Sequence, residues 1–337
     1  MSSKPLMDAD DIIPILIHHE SDEKPSKGLG KKQSYLRFVL KQAESLNKRV
    51  ILFGDEFNRD WASEWYPAID YCTDKWERFD KAFVNMSDYT DEWARGIFKR
   101  FFIFEEFCSQ NNLGDMLILD SDVLLYINAS GFSFRNNDLA FEWAQAVDIT
   151  KPPVELESVV CGIGYFTLEK LKSFTDFCIR VYEEKDSLYF PMMIDYWKLT
   201  QENKWNGGVT EMALLYFWLT TQQGVKVINL LEPTRNTTFV NNIMESSNLL
   251  PSEYVIDPLT KTKKIRFRNG MPQVQRKVDK EWITVNDIHF AGDTKRFIGD
   301  YYRFGKITAY NRIYYVLIQF YRTHVKRYFR KLGLKSK

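Results

Sequence analysis

The sequence predicts an α/β fold in which a mixed, mostly parallel sheet is flanked by helices. Three observations predict it. Residues 12–53 contain a strand pattern, a helix pattern and a second strand pattern; the apolar segment 116–119 ends at a pair of aspartates; and residues 261–290 alternate charged and apolar residues. Strand–helix–strand units form parallel sheets covered by helices, whereas alternation is typical of antiparallel strands with one solvated face.

The first half of the chain contains four of the predicted elements. Residues 12–17 form an almost unbroken apolar run, which is typical of a strand buried on both faces. A helical pattern follows over residues 34–47, and residues 49–53 form a second apolar run that ends at Gly54. Residues 91–108 are predicted to form a helix with an aromatic face. The apolar residues 116–119 then predict the next strand.

The second half adds strands of both orientations. Residues 158–166 and 225–231 are predicted to be strands, with a helix over residues 210–221 between them. Within residues 261–290, the pair Asn269-Gly270 favours a tight turn between antiparallel strands. We therefore expect a mixed sheet.

Composition places the chain among ordinary globular proteins. Its 337 residues are 45% apolar and 27% charged, with a formal net charge of +1. No basic start is paired with an apolar segment of signal-peptide length, and no run reaches the roughly 18–20 apolar residues that cross a bilayer. The four cysteines lack zinc-ligand spacing, which favours reduced thiols. These features predict a cytosolic protein.

Two aspartates separated by one residue follow the predicted strand 116–119. In open α/β sheets, ligands bind at the carboxyl ends of the strands. Two carboxylates that converge there suit a hard divalent cation such as Mg²⁺ or Mn²⁺, which neutralises phosphate oxygens. The structural alternative is a polar turn. The pattern predicts that Asp120 and Asp122 bind a metal.

A second candidate group lies far along the chain, in the segment His289-Phe-Ala-Gly-Asp-Thr-Lys295. An imidazole at a strand end is a suitable ligand for Mn²⁺, and Gly292 allows the backbone to approach a phosphate. Lys295 supplies a point positive charge. Alone, a histidine such as His289 is more often an ordinary half-buried residue than a metal ligand.

Three further residues are candidates for roles beside the metal. Arg100 lies on the helix that precedes the aspartate pair, where a solvated helix face is the alternative. Glu211 follows a Gly-Gly pair at a predicted helix start, and Thr210 is a candidate cap for that helix. As a functional residue, Glu211 would orient an acceptor hydroxyl or act as a general base in an inverting reaction. Asp195 is a second candidate for the same role.

Together these segments resemble the family 8 glycosyltransferases, which include glycogenin and the bacterial lipopolysaccharide galactosyltransferases. The resemblance rests on Arg100 in a helix, on Asp120-Ser-Asp122 at a strand end, and on the late segment 289–295. It implies a GT-A nucleotide-binding fold and a Mn²⁺ or Mg²⁺ ion held by Asp120, Asp122 and His289. It also implies a retaining reaction, in which no general base is required.

The resemblance further implies a nucleotide-sugar donor, most typically a UDP-sugar, and a glycan or lipid-linked acceptor. The donor-binding residues that it indicates are Arg100, His18, Ser121, Gly292 and Lys295. His18 lies where the family contacts the nucleotide base. The sequence departs from the family at Arg296-Phe297, where the family has Pro-Trp, and segment 205–212 replaces its Asp-Gln-Asp segment.

The C-terminal residues 301–337 are predicted to be a separate helical tail after a catalytic domain of residues 1–300. From residue 303 onward there are ten Lys and Arg and no Asp or Glu. Apolar residues such as Ile313 and Leu317 share one helical stripe with basic residues beside it, which is typical of helices that bind a membrane surface. Packing of this helix on the domain is the alternative, and no nucleic-acid-binding motif accompanies the charge.

Two other functions remain open at this stage. A haloacid dehalogenase-type phosphatase also has Asp-x-Asp after an apolar strand, with Asp120 as the nucleophile and Asp122 as the acid or base. The third possibility is a non-catalytic carbohydrate- or membrane-binding module that retains the fold.

Overall fold

The computed structural model describes residues 12–20, 35–143, 159–185, 188–204, 207–234 and 236–321. Over these residues the strands are β1 Ile15–His19, β2 Val50–Gly54, β3 Glu64–Pro67, β4 Asp115–Leu119, β5 Val123–Leu125, β6 Leu139–Trp143, β7 Val159–Thr167, β8 Val227–Asn229, β9 Thr237–Thr238, β10 Ile265–Arg268, β11 Met271–Gln275, β12 Trp282–Val285 and β13 Asp287–His289. The α-helices are α1 Leu36–Leu46, α2 Asp74–Ala82, α3 Asp91–Gln110, α4 Leu168–Glu183, α5 Tyr189–Asn203, α6 Glu211–Thr220, α7 Ile298–Phe304 and α8 Ala309–Phe320.

A seven-stranded sheet forms the centre of the molecule, with the strand order β3-β2-β1-β4-β7-β6-β8. The pairs β3-β2, β2-β1, β1-β4 and β6-β8 are parallel, whereas β7 runs antiparallel to both of its neighbours. The mixed, mostly parallel α/β sheet that the sequence predicts is therefore confirmed.

Two smaller sheets lie beside the central one. Strands β10, β11 and β12 form the predicted antiparallel meander, to which β9 adds a parallel edge. Its first turn is made by Asn269 and Gly270, which both have left-handed φ angles of 51° and 78°. A two-residue turn with two positive φ angles matches the twist of the flanking strands. The second small sheet pairs β13 with β5.

The central sheet is buried on both faces because alternate side chains of each strand point to opposite sides. On one face, Leu16 and Phe53 pack against the aromatic side chains of α2, α3, α4 and α6. On the other face, Ile17 and Leu52 pack against α1, α7 and the small sheets. Because these strands are buried on both faces, their sequences are apolar runs without alternation.

The observed elements differ from the predicted ones mainly at their ends. The first strand begins at Ile15 rather than residue 12, just after Pro14, which has no N–H to donate to a ladder. Thr210 precedes α6, but its side chain makes no capping hydrogen bond, so that expectation is wrong. The backbone here is instead held by Met86, whose carbonyl accepts from the Val209 N–H at 2.8 Å.

The predicted tail begins as part of the main body. Helix α7 continues across residue 300, and Ile298 and Tyr301 are buried in the second core. The amphipathic pattern beyond residue 321 lies outside the described residues. No helix in the described ranges is long and apolar enough to cross a bilayer.

Candidate active site

Asp120 and Asp122 lie in the turn that follows strand β4 at the carboxyl edge of the central sheet. The N–H of Asp120 donates to the Gly162 carbonyl on β7 at 2.8 Å, which holds the turn against the sheet. Strand β5 begins directly afterwards at Val123. The parallel strand β1 ends at His19 along the same edge. The two carboxylates therefore stand where the topology of an α/β sheet places its ligands.

Strand β13 brings His289 to the aspartate pair. It runs antiparallel to β5 with His289 opposite Val123, and the Phe290 N–H donates to the Asp122 carbonyl at 3.0 Å. As a result, Nε2 of His289 lies 3.5 Å from Oδ1 of Asp122.

These three side chains form a set that fits a divalent cation. One ligand atom from each of Asp120, Asp122 and His289 lies within 4.8 Å of the others. Nδ1 of His289 lies 2.5 Å from the Asn241 carbonyl, and because a carbonyl can only accept, Nδ1 donates. A metal-binding imidazole is oriented by a hydrogen bond from its other ring nitrogen, and Nδ1 already makes that bond here. Nε2 faces the carboxylates. Two carboxylates and one imidazole suit Mn²⁺ or Mg²⁺.

Lys295 adds a positive charge to this group. It lies in a short 3₁₀-helix, Gly292–Phe297, and its Nζ is 2.9 Å from Oδ2 of Asp122. Gly292 opens this helix with a left-handed φ of 56° that favours glycine. A Cβ at Gly292 would meet nothing within 4 Å. Glycine is therefore favoured at this position by the backbone conformation and not by a lack of space for a side chain.

The charges of this group shift each other's proton affinities. Burial alone would raise the pKa of Asp122, but His289 and Lys295 outweigh burial and hold that pKa well below its ordinary value. Burial alone would lower the pKa of His289, but Asp122 and Asp120 raise it to about 10. Without a metal, His289 is therefore an imidazolium at neutral pH.

Arg100 links the metal-binding group to Glu211. Its guanidinium on α3 forms an ion pair with Asp120 and a second one, at 2.9 Å, with Glu211 at the first turn of α6. Burial raises the pKa of both Asp120 and Glu211, and Arg100 opposes that rise. The positive charge of Arg100 thus offsets the cost of burying two carboxylates.

The structure places His19, rather than His18, beside the aspartate turn. Nδ1 of His19 lies 3.1 Å from the Ser121 hydroxyl, whereas His18 pairs with Glu20 at 3.1 Å. Burial, together with the charges of His18 and Lys295, lowers the pKa of His19 to about 4. Tyr35 hydrogen-bonds to both Ser121 and Lys295. Consecutive residues of a strand point to opposite faces, so the sequence alone did not distinguish the two histidines.

Asp195 has a different setting from the other candidates. It lies on α5 with 77% of its side chain exposed, and it pairs with Lys198 at 3.3 Å. The other sequence candidates, apart from His18, come together around the aspartate turn. They are Arg100, Asp120, Ser121, Asp122, Glu211, His289, Gly292 and Lys295.

Sequence reasoning missed the residues that support His289. Asn241 contributes a backbone carbonyl, which carries no side-chain signal. Gly162 leaves room for the imidazole, since a Cβ there would lie 2.8 Å from Nδ1 of His289. Behind the ring lie the buried carboxyls of Glu142 and Asp287, and burial raises the pKa of both. The sequence predicted no strand over residues 139–143, so Glu142 was not recognised as a buried residue.

The sequence matches no protein-family profile and no curated protein. Among solved structures, this chain is similar to a glycosyltransferase involved in the glycosylation of the major capsid of PBCV-1. That similarity has 15% identity and a TM-score of 0.32, and it covers 64% of this chain and 80% of the other. It is also similar to mouse xyloside xylosyltransferase 1 in its apo form, with 11% identity and a TM-score of 0.40. Here 64% of this chain and 84% of the other are covered.

Proposed function

We propose that this protein is a metal-dependent glycosyltransferase with a GT-A fold. It moves a sugar from a nucleotide-sugar donor, most typically a UDP-sugar, to a glycan or lipid-linked acceptor. The observation that carries the proposal is the convergence of Asp120, Asp122 and His289 at the carboxyl edge of the sheet, with Lys295 on the same carboxylate. The same four residues, together with Arg100 and Gly292, carry the sequence resemblance to family 8.

In the proposed reaction, the acceptor hydroxyl oxygen forms a bond to the anomeric carbon of the donor sugar. The bond between that carbon and the diphosphate oxygen breaks, and the nucleoside diphosphate leaves with the electron pair. A divalent cation held by Asp120, Asp122 and His289 would supply positive charge to the departing diphosphate. Lys295 contributes a second positive charge at the same edge, which favours the charge that develops as the bond breaks.

Glu211 orients the acceptor side of the site rather than acting as the base. Its carboxylate already forms an ion pair with Arg100 at 2.9 Å. The geometry therefore favours a carboxylate that is held in place and accepts hydrogen bonds from the acceptor substrate. This supports a reaction that retains the anomeric configuration, in which the acceptor proton passes to the departing diphosphate. The donor base, the transferred sugar and the stereochemical outcome belong to this proposal.

The phosphatase alternative fits the geometry less well. A phosphatase of that class would need Asp120 free as a nucleophile and Asp122 as an acid or base. Instead, Asp120 is paired with Arg100, and Asp122 is held by both His289 and Lys295. Release of phosphate from a phosphomonoester, without any response to UDP-sugars, would favour the phosphatase. Donor binding without turnover would favour the non-catalytic module.

The direct test is incubation with a panel of UDP-sugars in Mn²⁺ or in EDTA. We expect UDP release only with Mn²⁺, and an α-anomeric product from an α-linked donor, observed by NMR. The variant Asp122→Asn should lose this release. Asp279→Asn is the matched control, since Asp279 is a surface aspartate that pairs with Arg276. UDP release that is equal in EDTA would contradict the metal assignment.

We also propose that helix α8 docks on an anionic membrane surface. Its side chains Tyr310, Ile313, Leu317 and Phe320 lie on one face and are 75%, 61%, 60% and 58% exposed, so they are not packed on the domain. An exposed apolar patch of this kind marks an interaction surface. From residue 303 onward the chain has ten basic residues and no acidic ones, so its charge is complementary to an anionic lipid surface. Such a surface attracts each nearby basic residue by about 1 kcal/mol. The cytosolic location stays a prediction.

A further inference from the structure

An exposed aromatic pair lies at the start of the helix that carries Arg100. The rings of Tyr89 and Trp93 lie with their centroids 3.9 Å apart and their planes tilted by 41°, and the two side chains are 42% and 48% exposed. Trp93 lies in the first turn of α3, whose start is capped by the Thr90 hydroxyl. Large aromatic side chains are costly to leave in water, so an exposed pair of aromatic rings in contact marks a binding surface.

Trp93 of this pair shares a helical stripe with Arg100. Trp93, Gly96 and Arg100 are spaced by three and four residues, so they lie on one face of α3. Trp93 and Arg100 are about 10 Å apart along the helix axis, at about 1.5 Å per residue. Arg100 reaches Glu211 and Asp120 at the inner end of the stripe. The aromatic pair therefore lies two helical turns outward from the proposed reaction centre.

Gly96 leaves the middle of the stripe bare. A Cβ at this position would meet no atom within 4 Å, so the glycine is not required by packing. Its φ angle also lies outside the left-handed range, and glycine inside a helix is destabilising relative to alanine. Neither the backbone nor the core thus explains a glycine here. We name the bare surface at Gly96, between Trp93 and Arg100, the trough.

The segment that carries the aromatic pair is tied to the approach to Glu211. The Asp88 N–H donates to the Gly207 carbonyl at 2.8 Å, and Ser87 forms an antiparallel β-bridge with Gly208. A Cβ at Gly208 would lie 2.5 Å from the Met86 carbonyl, so only glycine permits this contact. These contacts hold the segment that carries Tyr89 against the segment that leads into Glu211.

We infer that Tyr89, Trp93 and the bare surface at Gly96 form a subsite for a sugar ring of a glycan acceptor. A pyranose ring presents a face of C–H groups with slight positive charge, which stacks on the negative face of an aromatic ring. Asp88 and Gln201, which are hydrogen-bonded to each other at 3.3 Å, supply polar groups beside the rings for sugar hydroxyls. The inference rests on the proposed function, because it assigns this surface to the acceptor of that reaction.

The test uses the full-length protein, labelled with a fluorophore, on an array of immobilised glycans with UDP and Mn²⁺ present. We expect the wild type to bind at least one glycan class. Trp93→Ala should weaken that binding at least tenfold. Tyr310→Ala is the matched control, because Tyr310 is also an exposed aromatic residue in a ring pair, with its centroid 6.2 Å from that of Tyr314.

A second pair of variants tests the trough itself. Gly96→Gln should place a side chain in the trough and weaken glycan binding at least tenfold, while raising the Tm, since glutamine favours a helix. Gly96→Ala should also raise the Tm but keep glycan binding. Wild-type protein that binds no glycan, or Trp93→Ala protein that binds as well as wild type, would overturn the inference. Absence of metal-dependent UDP release from the wild type would instead refute the proposed function, on which this subsite rests.

Discussion

Nε2 of His289 lies 3.5 Å from Oδ1 of Asp122 because the short strands β5 and β13 pair antiparallel beside the central sheet. The pairing places a late segment of the chain directly on the turn after β4. Lys295, six residues after His289, reaches the other oxygen of the same carboxylate at 2.9 Å. One strand pair thus assembles the metal-binding group and its neighbouring positive charge.

The first prediction concerns pH and this residue pair in metal-free protein. The pKa of His289 is raised from 6.5 to about 10, chiefly by Asp122 acting against burial. Folding therefore favours the protonated ring, and the resulting stability is fully present below about pH 6.5 and is lost as the pH rises towards 10. The free energy of unfolding changes by a few kcal/mol, since each pKa unit corresponds to about 1.4 kcal/mol.

The measurement is the free energy of unfolding by urea in EDTA, from pH 6 to pH 10, for the wild type and His289→Gln. The difference between the two proteins should shrink as the pH rises. A difference that stays constant over this range would show that the imidazolium is not stabilised by Asp122.

The second prediction concerns Arg100. Arg100→Met leaves the buried carboxyls of Asp120 and Glu211 without their positive partner, so it should destabilise the fold by about 3–5 kcal/mol. Arg59→Met is the control, because the pair that Arg59 forms with Glu56 is exposed and is worth about 1 kcal/mol or less. Urea unfolding at pH 7 measures both. Equal losses would mean that Arg100 is not the compensating charge.

The third prediction concerns Gly162. In Gly162→Ala, the added Cβ would lie 2.8 Å from Nδ1 of His289, so the ring must move and its hydrogen bond to the Asn241 carbonyl must weaken. Loss of such an orienting contact lowers metal affinity by about 10–100-fold. Calorimetric titration with Mn²⁺ provides the measurement. Gly114→Ala is the control, since a Cβ there meets nothing within 4 Å; an unchanged affinity in Gly162→Ala would exclude His289 as a ligand.

Much of this site was predictable from the sequence. The residues that carry it, Asp120, Asp122, His289 and Lys295, stand out because charged or metal-ligating side chains follow apolar strands. The mixed sheet was also predicted, but the hairpin that suggested it forms a separate small sheet, and the central sheet is mixed because β7 runs antiparallel to β4 and β6.

Other features depend on tertiary contacts that leave no local pattern. The link between Arg100 and Glu211 joins two helices far apart in the chain. The Asn241 contact uses a backbone carbonyl, and the room for the imidazole depends on which strand lies beside β4. The choice between His18 and His19 depends on the register of β1, which begins three residues later than the apolar pattern suggests.

The fourth prediction concerns membrane docking by helix α8. Sedimentation should show binding to vesicles that contain phosphatidylserine and not to neutral phosphatidylcholine vesicles, and the binding should weaken as salt screens the charges. The double variant Ile313→Ser/Leu317→Ser should bind at least tenfold more weakly, because both side chains are about 60% exposed on the docking face. Val278→Ser, at an 85% exposed apolar position elsewhere, should bind normally. Equal binding to neutral vesicles would contradict an electrostatic surface, and binding to neither would refute docking.

The measurement that tests the central claim most directly is a thermal-shift screen of nucleotide-sugars with and without Mn²⁺, on the wild type and Asp122→Asn. A ligand that binds only the folded state raises the Tm. We predict that at least one nucleotide-sugar raises the Tm of the wild type in Mn²⁺ but not in EDTA, and that Asp122→Asn shows no such rise. Stabilisation that is equal in EDTA, or that persists in Asp122→Asn, would contradict a metal-held nucleotide-sugar at Asp120, Asp122 and His289.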